Sequence, residues 1–331
     1  MRRPYFYELY TLLSFAVIVI MSGMDVFGSH SPVANVISFA SGIAIPVIAG
    51  VGLRLAFSLV RGDRTYLRRI RRRSYVIDSV RFVVGSGAMI TTYLWIKLLV
   101  PLLHPRLFDH ELWVLDQALF FGLAPTIFLL DLFAGAPLEV VDFTYAKIFY
   151  VSTIVATAFF LSHPSRRIRL AYVNGHALLW LTGSWFYLLV PSLGPAYRFP
   201  DIWMVHSEYL RVTQTLQALL MQNYQNVLRD ASGMEVTAPI RIVFGIGAFP
   251  SLHVGFQFFV FLWMRRLWTS GEVLFGIFVV TIFLGSMITG WHYLVDGLAG
   301  ALIAWISWRI FWHTGRLGRW FRLARVTRAA R

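Results

Sequence analysis

Apolar residues run through the chain in blocks of roughly 20, separated by short polar segments. The blocks fall at about 6–27, 34–60, 75–102, 139–162, 170–191, 251–265, 271–289 and 296–313. Each long block can cross about 30 Å of hydrocarbon as a helix. The short segments of strict alternation that mark a membrane β-barrel are missing from the sequence. The pattern predicts an all-α, polytopic transmembrane helical bundle of about eight spans. The 251–265 block is short, so its helix either begins at the level of a site or continues past Arg265 and Arg266.

The polar segments give an orientation. RGDRTYLRRIRRRS (61–74), SRRIR (165–169), the Arg265–Arg266 turn and the tail are all basic. Eight spans with a cytoplasmic N-terminus place all four on the cytoplasmic side, as the positive-inside rule requires. The C-terminus is then cytoplasmic too. Segments 28–33, 103–138, 192–250 and 290–295 face outward. Two of these carry amphipathic helical patterns. LFDHELWVLDQALFFG (107–122) reads as a helix in the outer interface. YLRVTQTLQALLMQNYQNVLR (209–229) reads as a surface helix, with a lid over a site as the alternative. Tail arginines at every third position from Arg316 to Arg331, interleaved with Trp320, Phe321 and Leu323, predict a cytoplasmic interfacial helix.

Composition agrees with the pattern. The 331 residues are 57% hydrophobic and 14% charged, against about 25% charged in soluble domains. The net charge of +14 belongs to the cytoplasmic loops, where it attracts anionic lipid headgroups and gives no reason to invoke nucleic acid. No cysteine is present, which excludes disulfide and thiol chemistry. Arg2 and Arg3 precede a long apolar run with no small-residue cleavage site, so the first span is expected to be retained. The organisation is one transmembrane domain: two additional N-terminal helices and a basic loop (1–74), a six-helix core (75–313) and a basic tail (314–331). A transporter is disfavoured by the lack of an inverted repeat and of paired broken helices.

Chemistry concentrates at two outward helix starts. His253 follows Pro250 and Ser251 in FPSLHVG (249–255), and His292 lies in GWHYLVDGLAG (290–300). Serine is a favoured N-cap, and the free N–H groups of a helix start attract phosphate. Asp296, four residues after His292, shares its helix face and can set the imidazole tautomer. Gly290 and Gly297 leave room for a ligand. Singly, each feature fits an ordinary helix start or interfacial residue. Together, at one depth, they mark a site. The histidines lack H-E-x-x-H spacing, so neither a metal nor another cofactor is expected. His30, His104, His110, His163, His176, His206 and His313 read as interfacial or structural.

FPSLHVG and GWHYLVDGLAG resemble the second and third signatures of the type 2 phosphatidic acid phosphatase superfamily, whose six-helix core acts on lipid phosphates without metal. PSLH in place of PSGH, and DHELWVLDQALFFG (109–122), look like the inositol-phosphorylceramide synthase branch and its bacterial relatives. The resemblance covers about residues 75–313. It implies His292 as nucleophile, Asp296 orienting it and His253 as acid on the leaving oxygen. Ser251, Leu252 and Gly290, with backbone N–H groups, are expected around the phosphoryl oxygens. The chain departs from the pattern at Ser286, where the phosphatase signature carries arginine, and the first signature has no clean match. Arg198 and Tyr197 in PSLGPAYRFP (191–200), or Arg241, are candidates for the missing cation. Lys97 and Lys147, the only lysines, lie near outer span ends, and at least one is expected to snorkel. The loss of the arginine also occurs in the transferase branch. It tilts the expectation toward transfer of a phospho-headgroup from a phospholipid donor to a lipid acceptor, at the periplasmic or exterior face of the cell's inner membrane. A lipid phosphate or polyprenyl-pyrophosphate phosphatase is the alternative.

Overall fold

The computed structural model describes residues 4–23, 31–268 and 271–329, with side chains up to residue 312. It is all-helical, with no strand among the described residues. The helices are α1 (Phe6–Ser22), α2 (Pro32–Val60), α3 (Thr65–Ile70), α4 (Arg73–Leu103), α5 (Asp109–Leu119), α6 (Pro125–Leu132) and α7 (Ala136–Phe143). A π-helical turn, Thr144–Ile148, joins α7 to α8 (Phe149–Leu161). There follow α9 (Arg166–Leu189), α10 (Pro195–Arg198), α11 (Pro200–Met204), α12 (Arg211–Ala231), α13 (Leu252–Leu267), α14 (Glu272–Ile288) and α15 (Leu294–Ala329).

Four helices are long and apolar enough to cross a membrane: α2, α4, the joined Ala136–Leu161 and the Leu294–Trp312 part of α15. α1 and α14 are apolar but shorter. α9 and α13 fall outside both groups for a physical reason. They are buried against protein on most sides, α9 against α1, α4, α13 and α15, and α13 against α9, α14 and α15. Their surfaces therefore need not resemble lipid, and α9 carries Asn174, Thr182 and Ser184 inside the bundle. Trp95, Phe160, Tyr172, Phe256, Phe259 and Trp263 interlock there as the centre of the core. α1 and α2 pack on the outside of this core, against α4, α8 and α9.

The bundle has two chemically different ends. At one, the basic segments close on each other: Arg69 donates to the Pro164 carbonyl (2.8 Å), and Arg54 to Ser162 Oγ (2.9 Å) and the Phe159 carbonyl (3.0 Å). Arg166 bonds Asp78 at 2.6 Å, and Arg81 bonds Glu8 on α1 at 2.8 Å. These arginines are thus partly structural and bind the N-terminal helix to the core. Along α4, Lys97 lies ~28 Å from Asp78 by helical rise, at the other end, where the histidines lie.

Two of the segments between the spans differ from their surface patterns. α5 is amphipathic, but Asp109 and Asp116 on it are buried against protein. The polar face of α12 is likewise turned inward onto backbone. Its Gln217 donates to the Thr289 carbonyl (3.0 Å), Asn223 accepts from Arg241 N (2.7 Å) and Asn226 accepts from Thr237 N (3.1 Å). Amphipathicity reveals a polar face but not whether water or irregular backbone will satisfy it. The tail backbone continues α15 as one helix to Ala329. The side chains of the tail arginines, with His30, His313 and residues 24–27 of the first block, lie outside the described residues.

Candidate active site

The site is assembled where α13 and α15 begin. Ser251 is the N-cap of α13 and accepts from Val254 N at 3.4 Å, while its own N–H donates to the Asp296 carbonyl at 2.8 Å. The two helix starts can meet because Gly300 faces Ser251. A Cβ there would stand 2.1 Å from the Ser251 carbonyl oxygen. This close approach brings the His253 and His292 rings to 5.8 Å, centroid to centroid.

His292 is 3% exposed and held from several directions. Its backbone N–H, with that of Trp291, donates to the Ser286 carbonyl at 3.0 and 3.1 Å. Its Nδ1 lies 2.9 Å from the Ala248 carbonyl and 3.4 Å from Asp296 Oδ2. A carbonyl only accepts, so Nδ1 carries the proton in the neutral ring and Nε2 carries the lone pair. Ala248 is itself fixed, its N–H donating to the Ser192 carbonyl at 2.9 Å. Asp296 Oδ2 accepts from Tyr293 N at 2.9 Å, the reach-back half of a capping box on α15. Asp296 Oδ1 is buried without a hydrogen-bond partner among the described residues.

The loop bearing His292 is also pinned from α5. Asp116 accepts from Leu294 N (2.6 Å) and Val295 N (2.9 Å), so α15 starts on a carboxylate supplied by another helix. Burial pushes Asp116 up to about 6, against these bonds. Asp109, two turns earlier on the same face, accepts from Gly194 N (2.8 Å), Leu193 N (3.0 Å) and the Tyr293 hydroxyl (2.9 Å). Burial also raises Asp109 above the usual carboxylate range.

His253 is half-buried, with its ring 4.4 Å from Phe149 and 5.6 Å from Tyr145. No hydrogen bond on its ring is seen among the described residues. Leu252 turns its side chain into α9, over Gly183, so only its backbone faces the helix start. Gly290 has φ +73°, which favours glycine, and the space beside it is filled by Ala196 and Trp203. Gly297 is likewise filled, by Phe283. The room expected at these glycines is therefore taken by the protein's own side chains. Tyr197 donates to the Gln217 carbonyl at 3.1 Å. Arg198 and Arg241 are exposed, stacked over Phe199 and Phe244. Neither shows a bond to the histidines.

Two residues at the site gave no clear signal in the sequence. Lys97 turns inward, with Nζ 5.4 Å from the Tyr187 ring and 5.9 Å from the Tyr93 ring. The exposed Lys147 is the lysine free to snorkel. Lys97 is covered because Gly245 packs directly on its backbone. The second residue is Tyr145, in the π-helical turn, whose buried hydroxyl lacks a partner among the described residues. Among the described residues no His, Asp and Glu cluster could hold a metal ion.

A membrane helical bundle with two facing histidines at adjoining helix starts, one of them held as a lone-pair donor, is a scaffold for phosphoryl chemistry. The sequence model of the PAP2 superfamily matches residues 110–310, well over half of the chain, which belongs to that superfamily. The membership places it among phosphatases and phosphotransferases. No curated protein and no solved structure matches the chain.

Proposed function

We propose that the chain is a lipid phosphotransferase working through a phosphohistidine on His292. The observation that carries this reading is the Ala248 carbonyl on His292 Nδ1, which leaves Nε2 free to attack. In the first step Nε2 forms a bond to phosphorus and the P–O bond of the donor phospholipid breaks. His253 gives its proton to the departing oxygen. In the second step His253 takes the proton of a lipid hydroxyl, whose oxygen attacks the phosphohistidine and frees His292. Lys97 supplies positive charge beside the transferring group.

Acceptance by a lipid hydroxyl, rather than by water, is supported by the buried setting of His292 and by Ser286 in place of a cation. Ser286 is 1% exposed and serves the loop through its carbonyl. In this reading the basic end of the bundle lies in the cytoplasm, which the positive-inside rule supports, and the site opens at the periplasmic or exterior face of the inner membrane. The inositol-phosphorylceramide synthase-like assignment belongs to the same reading. Hydrolysis of a lipid phosphate is the second reading, since the first step is common to both.

Product analysis on protein in nanodiscs tests it. A phospholipid donor should yield a headgroup-bearing lipid only when a lipid alcohol is added, and His292→Ala should abolish it while the protein stays monodisperse. Release of inorganic phosphate from a lipid phosphate without acceptor would overturn transfer. Unchanged turnover in His292→Ala would overturn the phosphohistidine.

A further inference from the structure

Deeper in the bundle, α2, α4, α8 and α9 enclose a cavity of about 280 Å³. Ile43, Ile90, Ile154 and Leu161 make much of its wall hydrocarbon. The α9 wall is different. Tyr172, His176 and Trp180 line the cavity at i, i+4 and i+8, a stripe ~12 Å long on one helix face. Tyr172 is 1% exposed. Its hydroxyl, His176 Nε2 and Trp180 Nε1 are all buried without a hydrogen-bond partner among the described residues. A buried polar atom left unpaired is costly, so each of these atoms favours an occupant that can bond it. The α2 wall adds an acceptor. Pro46 has no N–H, so the Gly42 carbonyl, one turn earlier and also at the cavity, lacks its helical donor.

The cavity is separate from the histidine pair. Ring contacts run from His253 to Phe149 (4.4 Å), to Phe256 (6.1 Å) and on to His176 (5.4 Å). It is nonetheless near: Tyr93 lines it, packs on Trp180 at 4.8 Å and sits one turn of α4 from Lys97. Three of its walls, α2, α4 and α8, belong to helices long and apolar enough to cross a membrane, so what reaches it comes from lipid.

We propose that this cavity binds a lipid chain carrying a hydroxyl group along its length. Hydrocarbon suits the isoleucine and leucine walls. The indole N–H can only donate, so the occupant must offer an oxygen. A hydroxyl also donates, and the Gly42 carbonyl is there to accept. A plain alkyl chain leaves both walls unpaired.

The test uses the full chain in phosphatidylcholine nanodiscs and two photoreactive probes. One is phosphatidylcholine with a 12-hydroxystearoyl chain bearing a diazirine; the other is the same lipid without the hydroxyl. The hydroxylated probe should label α2 and α9 peptides about fivefold more, the ratio one net hydrogen bond supplies. Tyr172→Phe with Trp180→Phe should erase the preference, Tyr172→Phe alone should weaken it with little change in volume, and Gly42→Leu should lower labelling by both probes. Equal labelling by the two probes overturns the proposal. So does labelling indifferent to the α9 and α2 substitutions, the result for a cavity that holds only water. His292→Ala should leave the labelling preference intact, which separates this site from the phosphoryl-transfer reading.

Discussion

His292 stands in the loop just before α15 and Asp296 in its first turn, yet the shorter bond from His292 Nδ1 goes to the Ala248 carbonyl, at 2.9 Å against 3.4 Å for the carboxylate. The tautomer is therefore set by main chain, and Asp296 adds charge and a helix cap. An asparagine amide oxygen can still accept from Tyr293 N. Asp296→Asn should leave the melting temperature nearly unchanged and lower kcat about 10- to 100-fold with little effect on KM. Asp296→Ala should in addition lose about 1 kcal/mol of stability with the cap. Wild-type kcat in Asp296→Asn would reduce Asp296 to capping alone.

Lys97 is the cation turned into the bundle, with Nζ 5.4 Å from the Tyr187 ring. Lys97→Met should lower kcat/KM by about 10²-fold, with partial rescue by Lys97→Arg. Arg198→Ala and Arg241→Ala, at exposed positions, should each have a much smaller effect. Steady-state kinetics on the four variants would reverse this ranking if an arginine serves instead.

Asp116 makes stability depend on pH. Burial holds its folded-state value at about 6, above the ordinary 3.8, so the fold favours the neutral acid. The stabilisation is present below the ordinary value and is lost as pH rises through about 6. Asp116→Asn does not titrate. Between pH 4 and 7 wild type should lose up to about 3 kcal/mol relative to Asp116→Asn. Thermal melts in detergent at several pH values read this directly, and parallel curves would refute it.

Gly300→Ala tests the approach of α13 to α15. The added methyl meets the Ser251 carbonyl at 2.1 Å and must push the helix starts apart. A loss of about 1–3 kcal/mol is expected, with a larger relative loss of activity because the His253–His292 spacing opens. Full activity with lowered stability would show that the spacing is not critical.

Particular residues show what was legible in the sequence. The helical bundle was, because apolar runs of membrane length leave few alternatives. The pairing of His253 with His292 was also legible, because each stands at a helix start on the same end of its block. Lys97 was not. A lone cation near a span end gives the same pattern whether it snorkels or is covered, and the cover comes from Gly245, far along the chain. Asp109 and Asp116 were visible as a polar face, but their targets are main-chain N–H groups, which have no signature in sequence. Tyr145 depends on a π-helical turn, and Gly290 on what packs beside it. Both are decided by tertiary fit.

The bonds from Asp116 to the start of α15 also bear on the order of assembly. They join residues 178 and 179 positions apart. During synthesis α5 emerges long before the histidine loop and waits, its acid unmatched, for α15. His292 is held in the pose proposed for it only when α15 docks. A chain not yet synthesised through α15 therefore lacks this clamp on the His292 loop.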